Sequence, residues 1–189
     1  VSDRLGCYWY VGKTQSGKTR KALEDLNADI QATGRPALIL DPMPAWNFRG
    51  MEHEPNVEAV VRRLYEEKTH AVYTPESQEE VDALMRAIRA GKRVHVLWDE
   101  CSFHMSFRAI TPDVSRSLRG WAHSELGFRL VTQRPGDIHG DAYACDPEVY
   151  AFRTEKEGDV KRLHEEFGFD PEALKALPQF EFLAKKRGF

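Results

Sequence analysis

The eight residues "GKTQSGKT", Gly12 to Thr19, constrain this chain more than any other stretch. They fit the pattern G-x-x-x-x-G-K-[ST], a loop whose backbone amides cradle phosphate oxygens between a strand and a helix. Both flanks suit that role. The apolar run "LGCYWYV" precedes the loop, and "RKALEDLNADIQ" follows it with Ala22, Leu26 and Ile30 spaced four apart, as on one face of a helix. Gly12 and Gly17 free the backbone to turn its amides inward, and the helix N-terminus adds partial positive charge. Lys18 is expected to reach the β and γ phosphates of ATP, and the Thr19 hydroxyl to ligate Mg²⁺. The expected nucleotide-binding segment is Gly12, Lys13, Thr14, Gln15, Ser16, Gly17, Lys18, Thr19 and Arg20.

A loop of this kind needs a sheet to stand on. Strand candidates recur along the chain: "ALILD" from Ala37, "HAVYT" from His70, "RVHVLW" from Arg93, "FRLVT" from Phe128 and "VYAFR" from Val149. Several are continuous apolar runs bounded by turn residues, as buried parallel strands are. Helical patterns separate them, among them "VEAVVRRLYEE" and "SQEEVDALMRAIRA", the second with a capping-box start at Ser77 and a stop at Gly91. The alternation implies an α/β layered domain with a mostly parallel central sheet flanked by helices. A length of 189 residues suits one domain, residues 1–189. "PMPAWNFRGMEHEP", Pro42 to Pro55, is Pro-rich and aperiodic, and reads as a long loop.

A phosphate loop also predicts a carboxylate at the end of another buried strand. "RVHVLWDE" supplies one: Asp99 leaves the sheet where it can hold Mg²⁺ through water, and Glu100 follows at once. An acid there can orient and deprotonate an attacking water, which favours hydrolysis over transfer to a bound acceptor. "FRLVT" ends in "QRP", so Gln133 is expected at the same sheet edge, where its amide can bond a γ-phosphate or the lytic water.

Other features bound the reading. The three cysteines, Cys7, Cys101 and Cys145, are odd in number and widely spaced. They argue for a reducing compartment and against a disulfide framework. Cys101 and His104 resemble half a zinc site without a second half. No apolar run approaches the length of a membrane span, and the N-terminus does not read as a signal peptide, so an intracellular protein is expected. The net charge of −3 excludes a uniformly basic surface but not a local basic patch.

With these pieces in place the sequence resembles the FtsK–HerA superfamily of P-loop motor ATPases, and within it the viral genome-packaging ATPases. The likeness rests on "GKTQSGKT", "LILDP", "VHVLWDE" and "SLRGWAHSELGFRLVTQRPGDI", spanning residues 5 to 140. It implies a RecA-like P-loop NTPase fold and a ring of six or five copies that passes double-stranded DNA through its centre, at a viral capsid's packaging vertex or in the host cytoplasm, without a membrane anchor. It also implies an arginine reaching in trans to the ATP of a neighbour. Arg119 in "SLRGWAH" best matches that arginine; Arg116, one turn earlier, is the alternate and Arg134 a third candidate. Channel loops are sought in "FHMSFR", with Arg108 as its cation, and in "WNFR", with Arg49; "KKR" from Lys185 is a further basic run. Without a membrane segment or appended domains, a bare motor is expected. Two other classes compete. A small P-loop kinase would need an Arg-rich lid, and no compact one is evident. A nucleotide-dependent phage assembly or export switch would carry the same motifs.

Overall fold

A computed structural model of the chain describes residues 5–42, 53–106 and 109–186. Seven strands form one sheet in the order β3-β2-β4-β5-β1-β6-β7. They are β1 (Cys7–Val11), β2 (Ala37–Leu40), β3 (Ala71–Tyr73), β4 (His95–Trp98), β5 (Gly127–Thr132), β6 (Glu148–Phe152) and β7 (Phe182–Lys186). The first six run parallel, and β7 pairs antiparallel with β6. The helices are α1 (Lys18–Thr33), α2 (Val57–Tyr65), α3 (Gln78–Gly91), α4 (Pro112–Arg119), α5 (Glu157–Phe167) and α6 (Pro171–Ala176).

Local chemistry sets the helix ends. Gly17 and Gly34 bracket α1, both at positive φ (101° and 65°), and the Gly34 amide donates to the Ile30 carbonyl. At α2 the Asn56 side chain accepts from the Ala59 amide at 2.9 Å. At α3 the Ser77 hydroxyl accepts from the Glu80 amide at 3.2 Å, while the Glu80 carboxylate accepts from the Glu76 amide at 2.8 Å. Thr111 caps α4, with Pro112 in the first turn, where its missing N–H costs nothing.

Strand side chains alternate between the two faces. Trp9, Val11, Leu38, Leu40, Val96, Trp98, Phe128 and Leu130 face the larger apolar layer, shared with side chains from α2 to α6. Tyr10, Ala37, Ile39, Val72, Leu97, Val131 and Phe152 face the thinner layer, which α1 covers through Ala22 and Leu26. On that side Arg129 of β5 is fully buried and ion-paired with Asp29 of α1, with its guanidinium also 5.4 Å from the centre of the Tyr8 ring.

One sequence expectation needs correction. Cys7 and Cys145 form a disulfide, with their Cα atoms 6.1 Å apart although they stand 138 positions apart in sequence. The cause is register: β6 lies beside β1 with Tyr8 opposite Glu148, so Cys7, which opens β1, and Cys145, shortly before β6, meet at the same end. Among the described residues, no helix is long and apolar enough to cross a membrane. Arg49 and Arg108, offered from sequence as channel cations, lie outside the described residues, as does Arg187 of the "KKR" run.

Candidate functional site: a phosphate loop facing an acid–amide pair

The strand order builds the site. Because β5 lies between β1 and β4, the loop after β1, the residue after β5 and the acidic pair after β4 emerge side by side at one sheet edge. The loop from Gly12 to Gly17 turns on positive φ values at Gly12 (148°), Gln15 (59°) and Gly17 (101°). Gly12 is also sterically required, since a Cβ there would sit 2.7 Å from the Cβ of Phe152. The Lys13 amide donates to the Arg153 carbonyl at 3.0 Å, tying the loop to the end of β6.

Lys18 is only 5% exposed, and its ammonium donates to the Lys13 carbonyl at 3.1 Å. Burial pulls its pKa below the usual lysine range, while Glu100 and Asp99 act in the opposite direction. The Ser16 hydroxyl is buried and finds no hydrogen-bond partner among the described residues. A buried donor at the floor of an amide-lined loop fits a phosphate oxygen, which would satisfy it.

The Thr19 hydroxyl donates to Asp99, at 3.2 Å to Oδ1 and 3.5 Å to Oδ2. Burial first, then the neighbouring Glu100 charge, push the Asp99 carboxyl up to about 6. Asp41, at the end of β2, is buried next to it and adds to that repulsion. A hydroxyl and a carboxylate are hard oxygen donors suited to Mg²⁺, and a dication there would offset the crowding of negative charge. The donor set therefore fits the ion that the sequence implies.

Glu100 adopts φ 41°, the left-handed region that a side chain rarely enters. The turn aims its carboxylate at Gln133. Gln133 Nε2 donates to Glu100 Oε1 at 2.6 Å, and the Gln133 amide donates to Oε2 at 3.4 Å. The Thr14 hydroxyl in turn donates to Gln133 Oε1, so loop, amide and acid form one hydrogen-bonded chain. An acid held by an amide beside a phosphate loop can accept a proton from a water lying between them.

Two of the cavities along the loop differ in their chemistry. One, of about 390 Å³, is lined by Lys13, Thr14, Gln133, Arg134, Thr154, Glu155, Lys156 and Asp159. The other, of about 490 Å³, is lined by Gln15, Gly17, Lys18, Thr19, Arg20, Leu23, Glu24, Asn27 and Phe180. The sequence reading missed several of these neighbours. Lys13 pairs with Glu155 at 2.9 Å, and Arg153 reaches the same carboxylate at 2.7 Å. Arg20 is tied to Glu24 at 2.9 Å. The residues following β6 carried no motif, so only the sheet order could bring them to the loop.

Arg119 lies elsewhere. It ends α4 and pairs with Asp141 at 2.7 Å. Two residues on, Trp121 donates its indole N–H to the Cys145 carbonyl at 3.2 Å, at the start of β1 and β6 rather than at their loop-bearing ends. The intervening β5, Gly127–Thr132, spans about 20 Å at ordinary strand rise. Arg119 therefore does not reach the phosphate loop of its own chain. Arg116, one turn earlier, is exposed. Arg134, the third candidate, is held by Asp137 at 3.0 Å and Asp159 at 3.2 Å beside the first cavity.

The sheet order, the loop and the acidic pair after β4 define a P-loop NTPase fold. No family model matches the sequence, and no curated protein does. Solved structures do. The chain is similar to the genome packaging NTPase B204 from Sulfolobus turreted icosahedral virus 2 in complex with sulfate, with a TM-score of 0.82 and 19% identity over 97% of this chain and 92% of that one. The same NTPase in complex with ATP-gammaS superposes with a TM-score of 0.81, at 20% identity over 95% of this chain and 91% of that one. The pCW3 conjugation coupling protein TcpA, also with ATP-gammaS, gives a TM-score of 0.65 at 16% identity, over 97% of this chain and 58% of that one.

Proposed function

We propose that this chain is an ATPase that drives double-stranded DNA, acting as the packaging motor of a virus. The observation that carries the reading is the Glu100–Gln133 pair standing over the Thr19–Asp99 site, an arrangement for activating water and not for docking a second substrate. The likeness to B204 along nearly its whole length supports packaging as the use of that hydrolysis.

In this reading Lys18 leaves the Lys13 carbonyl for the β and γ phosphates, and the amides from Lys13 to Lys18 hold the remaining oxygens. Thr19, and Asp99 through water, would hold Mg²⁺, which would supply positive charge against that developing on the transferred phosphoryl group. Glu100 takes the proton of the attacking water. Gln133, bonded at once to Glu100 and Thr14, senses whether the γ-phosphate is present. The chain works as a ring, with the packaging vertex of a capsid as its seat.

Double-stranded DNA is expected to raise ATP turnover, and salt is expected to abolish the stimulation, because phosphate contacts dominate sequence-independent binding. Steady-state ATPase rates with and without linear DNA, from low to high salt, check this. Phosphate transfer to a small acceptor would point instead to a kinase, and slow DNA-independent turnover to an assembly switch.

The pairing of Arg119 with Asp141, and not with its own loop, supports action in trans. To serve, it must exchange Asp141 for a neighbour's γ-phosphate. That ion pair is exposed and worth only about 0–1 kcal/mol, so it is readily given up. Mixing Glu100→Gln chains with Arg119→Ala chains is expected to restore activity above either parent, because some interfaces then join an intact acid to an intact arginine. Co-assembled mixtures that stay inactive would overturn the trans assignment. Recovery with Arg116→Ala but not with Arg119→Ala would move the finger one turn back along α4.

A further inference from the structure

We infer that the Phe180 ring is the platform on which the base of the bound nucleotide stacks, in the cavity between α1 and the segment that leads into β7. The inference rests on the reading of Gly12 to Thr19 as a nucleotide site and adds to it the subsite for the base.

Phe180 is 59% exposed, an unusual position for a large apolar ring in a folded chain. It also adopts φ 69°, which is a true outlier for a bulky side chain. Strain and exposure together persist where surrounding contacts hold a residue for a purpose. Those contacts are present. The neighbouring Gln179 side chain donates to the Gln15 carbonyl at 3.3 Å, and the Glu181 amide donates to the Pro178 carbonyl at 3.3 Å. The strand that follows is anchored along β6, with Phe182 opposite Phe152. The ring itself lies against the loop, so close that a Cβ on Gly17 would stand 3.0 Å from Phe180 Cδ1.

The chemistry of the two cavities divides the ligand. The one beside Gln133 is lined by cations, carboxylates and amides, and shares no lining residue with the one beside Phe180. The second holds the Phe180 ring and the Leu23 side chain, next to Lys18 and Thr19, where phosphates are expected. Its volume of about 490 Å³ falls within the roughly 300–1,000 Å³ typical of small-ligand sites. A ligand with phosphates at Lys18 has one apolar, flat part to bury, its base. On α1, Thr19 and Leu23 are one turn apart and share a face, so a base leaving the phosphates along that face meets Leu23 on one side and Phe180 on the other. A stacked base needs no hydrogen-bond code, and a purine offers the larger ring face.

The test compares ATP with inorganic tripolyphosphate, each titrated with Mg²⁺ into the parent protein, Phe180→Ala and Phe180→Trp. Phe180→Ala is expected to bind ATP about ten- to a hundredfold more weakly, from the usual worth of one base–aromatic stack, with tripolyphosphate binding unchanged. Phe180→Trp is expected to keep ATP affinity, and its added indole fluorescence to be quenched by ATP but not by tripolyphosphate. Parent-like ATP affinity in Phe180→Ala would overturn the inference. So would equal loss of both ligands in that variant, since Phe180 would then only prop the loop, or an added indole blind to ATP. A parent protein that binds neither ligand would instead sink the nucleotide reading on which the inference stands.

Discussion

Lys18→Ala is expected to abolish ATP turnover and weaken ATP binding by at least about a hundredfold, while the protein still folds. The ammonium is the charged donor at the centre of the loop, and hydrogen bonds to charged groups contribute about 1.5–3 kcal/mol each. Losing about 3 kcal/mol corresponds to roughly a hundredfold in affinity. The fold should tolerate the change for two reasons. Lys18 is buried, and burial already disfavours its charged form. Alanine is also the best helix former, at the first position of α1. Titration of a fluorescent ATP analogue, alongside a thermal melt within about 4 °C of the parent, checks both halves. A folded variant with parental turnover would remove the phosphate loop from the mechanism.

Glu100→Gln should separate binding from chemistry. The substitution keeps size and shape, and the new amide retains one oxygen to accept from Gln133 Nε2, now 2.6 Å from Glu100 Oε1. What is lost is the proton acceptor. General base catalysis typically contributes about 10²- to 10⁴-fold, so turnover should fall by about that factor. ATP should still bind, because Lys18, Thr19 and Asp99 are untouched. Removing one carboxylate also relieves the repulsion that raises Asp99, so Asp99 stays ionised to a lower pH. Single-turnover hydrolysis, with bound ATP measured in the same sample, distinguishes this from a binding defect. Parental rates would place the base elsewhere.

The parts of this molecule that were legible in the sequence are those whose chemistry is local or buried. β1 to β6 are apolar runs because layers on both faces cover them, and all six lie where such runs occur. The loop was legible because its glycines and its lysine sit within eight residues. The meeting of Asp99, Glu100 and Gln133 followed from the rule that parallel strands share a loop-bearing edge. β7 was not legible. It is an exposed edge strand carrying Lys185 and Lys186, with no apolar periodicity to mark it. The Cys7–Cys145 disulfide was missed because pairing of β1 with β6 is invisible at a separation of 138 residues. Asp41 reads as an ordinary turn acid until β2 is placed beside β4 and its carboxylate lies buried next to Asp99. Phe180 carries no motif in the sequence, and only the return of β7 onto β6 sets it against Gly17.

The buried pair between Arg129 and Asp29 bears on how such a domain can transmit force. Arg129 belongs to the strand that ends at Gln133, and Asp29 to the helix that begins at Lys18. Separating a buried ion pair strands both charges away from water, at a cost of about 3–5 kcal/mol. A cost of that size is a large fraction of a domain's stability. The pair thus ties the helix to the strand, and in the proposed motor the phosphate loop and Gln133 would move as one stiff piece. In the proposed motor, a stroke would find its compliance outside that piece, in the joints between neighbouring copies. A cycle of binding and release would then tilt the whole block like a lever, with little bending of the block itself.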